Sequence, residues 1–184
     1  MAKDRSKPDS GGGRVDILLL LLLTGAVVYD IRTRRIPNWL VLSGMAAGTG
    51  FHLYQAGLPG LLFSLKGLGL GIILLIVPFA LGGMGAGDVK LLGMIGAFKG
   101  TAFVFSAFVW MALVGGVIAA VLLAKDGRFK ESMVRIGRGA VLALVGRRKQ
   151  VFLGSLDRAP FEMYFPYGLA IAMGAVAAYF KGWW

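Results

Sequence analysis

The sequence predicts an all-α, polytopic membrane protein of about six transmembrane helices. It would carry a pair of aspartates at the cytoplasmic face and an amphipathic cytoplasmic segment. Three observations lead there. The 184 residues are 57% hydrophobic and 16% charged, against roughly 45–50% apolar and about 25% charged in soluble domains. The apolar residues fall in long runs separated by polar or glycine-rich breaks. The basic residues gather between those runs, as in loops facing an anionic leaflet. Disorder is excluded by the amount of apolar surface, and collagen by 29 glycines without a three-residue period. No cysteine is present, which removes disulfides, thiolate metal sites and cysteine nucleophiles. A single histidine, His52, excludes a two-histidine zinc motif. The formal charge of +11 does not imply nucleic acid, because no RNA-binding signature or zinc finger accompanies it.

Residues 1–14 read as a disordered polar tail, and 15–184 as one membrane-embedded domain. Ile17 to Tyr29 is the first span, flanked by Asp16 and Asp30. A basic start followed by a leucine run also fits a signal peptide, but that reading gives Asp30 no role. Arg32 to Asn38 forms a basic loop, in which Pro37 biases Ile36 away from helix and is suited to start the next one. Trp39 to Tyr54 is the second span, with Gly44 and Gly48 spaced for close packing. Pro59-Gly60 is expected to turn the chain into a third span, Leu61 to Leu81, with Gly67 and Gly71 again four apart. A glycine-rich break over 82–87 precedes Asp88. The short apolar stretch Val89 to Phe98 follows, ending at Lys99-Gly100. Thr101 to Ala124 is an uncharged span, and Tyr164 to Phe180 the last helix.

Six spans put the 32–35 loop and the basic loop 125–163 on one side. Together they hold 12 of the 20 basic residues, against four in the tail, so that side is the cytoplasm. Within the second loop, Phe129, Met133, Ile136, Ala140 and Leu144 recur at helical spacing among arginines. The pattern fits an amphipathic helix on the anionic cytoplasmic leaflet; a solvated loop with chance spacing is the alternative.

Only nine residues are acidic. Asp30 and Asp88 stand apart because each adjoins an apolar helix, where an ionisable group is costly and points to function. The span count puts both at the cytoplasmic ends of their helices. Two convergent carboxylates support aspartic hydrolysis: one, ionised, takes a proton from water, and the other, protonated, polarises the scissile carbonyl and serves the leaving amine. The glycines before Asp88 would let a substrate strand approach. Blander readings stay open for each residue alone. Asp88 is a good helix N-cap, and Asp30 beside Arg32 would serve as an interfacial anchor or ion pair. Two other functional classes also stay open. One is a small ion or solute carrier with a carboxylate-lined glycine-rich helix break; the other is a structural subunit of an assembly. A metal role is disfavoured, since two carboxylates without histidine make a poor transition-metal site.

Tyr29-Asp30 with Ile36-Pro37-Asn38, together with Gly85-Ala86-Gly87-Asp88-Val89-Lys90, resembles the type IV prepilin peptidases, membrane aspartic proteases with a GxGD motif. Phe165 to Ala172 is similar to that family too, and with the short form is most like the enzymes of Flp/Tad-type pili. The resemblance covers about residues 16–181. It implies that Asp30 and Asp88 are the catalytic pair, with no cofactor and no metal. Gly85, Gly87, Lys90, Pro37 and Asn38 would support them: Lys90 by neutralising charge near Asp88 or simply by snorkelling, Pro37 and Asn38 by shaping the loop beside Asp30. The implied substrate is a prepilin leader followed by its hydrophobic helix, cut at the cytoplasmic face of the bacterial inner membrane. Larger relatives carry a four-cysteine loop between their first two helices and also methylate the new N-terminus. About eight residues and no cysteine occupy that place here, which implies no zinc site and no methyl transfer.

Overall fold

The computed structural model describes residues 10–80, 84–125 and 167–181. They form four helices and no strand: α1 (Ser10–Thr33), α2 (Asn38–Ala80), α3 (Ala86–Lys125) and α4 (Tyr167–Lys181). Described residues up to Ala112, together with α4, make one compact unit, and those from Leu113 onward belong to a second. The amphipathic segment expected after Lys125, and Tyr164 to Pro166 at the start of the last helix, lie outside the described residues.

Two helices are long and apolar enough to cross a membrane, α2 and residues 86–118 of α3, with mean hydropathies of 2.3 and 2.1 over 18-residue windows. A straight helix of 43 residues would measure about 65 Å, twice the roughly 30 Å of a bilayer core. α2 does not run straight. Gly57 adopts φ 61°, ψ −140°, and beyond it Ser64 donates to Thr49 across 3.1 Å while Phe63 packs on His52. Residues 15 apart meet only if the chain has reversed. The break lies two residues before the expected turn at Pro59-Gly60. Pro59 then opens the second arm, where its missing N–H costs no helical bond.

α3 breaks in the same way at Gly100, φ 77°, ψ −173°. Lys99 before the break reaches Asp16 of α1, and Phe103 after it packs on Tyr179 of α4. Further along, Ala107 and Met111 meet Gly174, so the chain runs back toward the start of α4.

The first arm of α3, residues 86–99, is the centre of the unit. Every residue from Leu91 to Phe98 is buried, the mark of a helix enclosed on all sides. Both arms of α2 pack on it through small residues. A Cβ on Gly67 would fall on the Gly96 carbonyl, and one on Gly71 would lie 2.6 Å from the Leu92 oxygen. Two carbonyls near the end of this arm, where a helix runs out of partners, accept from α2 side chains. Ser64 Oγ reaches Ala97 and His52 Nε2 reaches Phe98, each at 2.8 Å. The outside is apolar as well: Leu21, Ile73 and Val77 are all more than 60% exposed. Small residues within and large aliphatic ones without are what a lipid-solvated bundle requires.

α1 begins at Ser10 rather than at Ile17, so the helix extends into the segment expected to be polar tail. Once the leucine run has nucleated a helix, each further turn adds bonds at small cost, even through Gly11 to Gly13. The other described boundaries fall within four residues of the expected ones, as fraying ends normally do.

Candidate active site

Val15, Leu19, Leu23 and Ala26 are buried on α1, and the next position in that stripe is Asp30, only 7% exposed. The spacings of four, four, three and four keep all five on one helical face. Asp30 is therefore where the inward stripe of α1 ends. The same side of the helix carries Leu20 and Val27, which line an apolar groove against Ala172 and Val176 of α4. Three residues later α1 stops at Thr33. Arg34 takes the left-handed conformation, φ 55°, and its N–H returns to the Asp30 carbonyl at 2.9 Å, the αL closure of a helix end. Tyr29 faces outward and packs edge-on against Trp39.

The loop from Arg34 leads into α2 at Asn38, with the Pro37 carbonyl accepting from Val41. Lys90 Nζ donates to Asn38 Oδ1 at 2.9 Å, tying the start of α2 to the start of α3. The sequence left Lys90 either to neutralise charge near Asp88 or to snorkel; its ammonium bonds Asn38. Ile36 packs over Gly87, where a Cβ would lie 3.1 Å from its own. Pro37, Asn38, Gly87 and Lys90 thus meet in one place beside the aspartates.

Asp88 lies in the first turn of α3, not at the N-cap position itself. The cap is Gly85, whose N–H donates to Asp88 Oδ2 at 3.0 Å, while the Asp88 N–H returns to the Gly85 carbonyl. This is half of a capping box, and it satisfies one carboxylate oxygen; Oδ1 accepts from no described residue. Asp88 is also 7% exposed, and the charge of Asp30 acts on it. Asp30 and Asp88 are the only buried charged side chains among the described residues. Asp88 forms no salt bridge among the described residues. Nor do any three His, Asp or Glu side chains among those residues come together to hold a metal ion.

Asp30 is further held by α4. Gly168 N–H donates to Asp30 Oδ2 at 3.0 Å within the protein interior. Spacing in the sequence gives no hint of a contact across 138 residues, although the Pro166-Tyr167-Gly168 motif marked the right segment. At the far end of the bundle, Asp16 Oδ1 accepts from both Lys99 Nζ and the Tyr179 hydroxyl at 3.0 Å. His52, the one residue able to serve a serine triad, is committed to the Phe98 carbonyl.

Residues 17–120, more than half of the chain, match the type IV leader peptidase family. The protein belongs to that family. A curated relative, the prepilin leader peptidase/N-methyltransferase of Bacillus subtilis (strain 168), is 28% identical over 171 residues. That alignment covers 90% of this chain and 55% of the relative, so the chain spans about half the length of the curated relative it matches. No solved structure matches. The family match spans both aspartates and every supporting residue named above.

Proposed function

We propose that the protein is an aspartic endopeptidase of the cytoplasmic membrane that cleaves the leader from Flp-like type IV prepilins, with Asp30 and Asp88 as its catalytic pair. The observation that carries this reading is the burial of two carboxylates, the charge of one acting on the other, in a chain of the leader peptidase family. Burial of a carboxylate is expensive, and such groups persist where chemistry needs them. Like charges that act on one another favour a shared proton. The ionised carboxylate takes a proton from water as its oxygen adds to the scissile carbonyl, which the protonated partner polarises. The C–N bond then breaks, and the leaving amine takes up a proton from the pair. The glycine at 85 keeps the backbone open beside Asp88, while Gly87 gives its space to Ile36.

The active site faces the cytoplasm in this reading, and six spans cross a bacterial inner membrane, an arrangement supported by the basic loops and by the two glycine reversals. The basic 125–163 loop lies on the anionic leaflet, and the protein binds no nucleic acid. It performs no methyl transfer, a proposal supported by the absence of cysteine and by the short connection from Thr33 to Asn38. The carrier alternative is not favoured, because the two aspartates adjoin helix ends.

The test is cleavage of a synthetic prepilin peptide, leader plus the first hydrophobic residues, by wild type, Asp30→Asn and Asp88→Asn in detergent. Cleavage by wild type alone is expected. Full activity in either variant would remove that aspartate from the mechanism. Inactivity of folded wild type would turn attention to ion flux.

A further inference from the structure

The contact between Gly168 and Asp30 has two parts. One is the hydrogen bond from the Gly168 N–H to Oδ2. The other is steric: a Cβ on Gly168 would lie 2.7 Å from Oδ2, 3.1 Å from Cγ and 3.2 Å from Cβ of Asp30. The carboxylate therefore rests directly on the glycine Cα. Asp30 is in the last turn of α1, where the helix carbonyls turn their negative ends toward a carboxylate. Gly168 is the second residue of α4, where N–H groups have no helical acceptor and carry the positive end of the dipole. One helix supplies the carboxylate and another supplies the donor that fixes it.

The donor is itself held in place. α4 is pinned at three levels. Tyr179 bonds Asp16, Gly174 lies against the backbone of Ala107 and Met111, and Gly168 meets Asp30. Asp16 and Asp30 belong to the same helix, so α4 and α1 are matched in register at both ends. The N–H cannot drift along Asp30 without breaking the bond at Tyr179, about 16 Å away along the helix.

We propose that Gly168 is a positioning residue for Asp30. Its amide orients the carboxylate, and its lack of a side chain leaves the place the carboxylate occupies. This rests on the proposed peptidase reading, in which Asp30 reacts. With alanine at 168 the carboxylate must retreat by roughly 0.7 Å, from 2.7 Å to the ~3.4 Å of ordinary contact. A misplacement near 1 Å costs on the order of 100-fold in a reaction that depends on geometry.

The experiment measures kcat and KM for the synthetic prepilin peptide with purified, full-length protein in detergent. It compares wild type, Asp30→Asn, Gly168→Ala, a backbone ester at 168 (glycolic acid inserted by suppression), Gly69→Ala and Gly174→Ala. The ester removes the N–H and adds no atom, so it keeps the fold even where Gly168→Ala does not. Gly69 faces open space, whereas Gly174 is crowded by backbone away from Asp30. The expected result is a kcat about 100-fold lower for Gly168→Ala and about 10-fold lower for the ester, with KM within about threefold. Gly69→Ala should match wild type. Gly174→Ala should lower the thermal midpoint without that separation of kcat from KM. A folded ester variant with wild-type kcat, or a loss confined to KM, overturns the proposal while the peptidase reading stands. Undiminished cleavage by Asp30→Asn overturns the peptidase reading, and this proposal with it.

Discussion

Each end of the bundle holds a carboxylate of α1, Asp16 half-buried and Asp30 buried, and the two are treated in opposite ways. Asp16 shares one oxygen between Lys99 and Tyr179, and the Lys99 ammonium also lies over the rings of Phe103 and Tyr179. Charge, hydroxyl and aromatic faces all answer one another. Asp30, about 21 Å along the same helix, receives a backbone N–H, and its charge acts on a second carboxylate, Asp88. An ion pair with its hydrogen bonds met lowers the energy of the fold at that end. Two buried carboxylates that act on one another raise it, and such an arrangement suits proton transfer. The contrast separates a clamp from the proposed reactive site within one helix.

The contrast makes predictions that run from large effects to small. Asp30→Asn and Asp88→Asn should each lower prepilin-peptide cleavage by at least about 1,000-fold while leaving the detergent melting temperature unchanged or higher, since each removes a charge from a like-charged pair. A fall in melting temperature would show that the pair supports the fold. Lys99→Ala should do the reverse. It strands Asp16 in a half-buried place and should cost about 1–3 kcal/mol, between the values for exposed and fully buried pairs, with cleavage by the folded fraction reduced less than 10-fold. Unfolding by a graded denaturant reads the first quantity, and single-turnover cleavage the second. The double variant Asp16→Asn, Lys99→Met should recover most of the lost stability, because it leaves no unpaired charge.

Smaller effects belong to the ends of the helices. His52→Leu and Ser64→Ala each take a donor from a carbonyl near the Gly100 break and should cost about 1 kcal/mol apiece, read as a shift in the denaturation midpoint. Arg34→Gly should stabilise the protein by about 0.5–1 kcal/mol, because φ 55° strains a residue with a Cβ and suits glycine. Unchanged stability there would mean that the arginine side chain offsets the strain.

Much of this was legible in the chain. The fold class followed from composition, because 57% apolar residues leave a bundle in lipid as the form that hides the backbone. Asp30 and Asp88 were legible as candidates because an acid adjoining an apolar helix stands out against its neighbours. Gly44, Gly48, Gly67 and Gly71 announced close packing by their spacing, and all four are buried. The reversal at Gly57 was placed two residues late, since Pro59-Gly60 is the stronger local turn signal and only the returning arm reveals where the break lies. The hydrogen-bond partner of Lys90, Asn38, lies 52 residues away, a distance no local pattern spans. The basic loop and its amphipathic spacing remain as the sequence states them.

The sequence by itself determined which residues are apolar, where the helices break and which acids stand alone, because these depend on local chemistry and on the period of the helix. Tertiary structure decided which groups meet. Asp16 found a lysine and a tyrosine, His52 and Ser64 found open carbonyls, and Asp30 found the amide of Gly168. Each of those contacts joins segments 33 to 163 residues apart. In a bundle whose inside and outside are equally apolar, no hydrophobic stripe tells a helix which neighbour to face. Close fit between backbones and the few polar groups that must be satisfied make that choice.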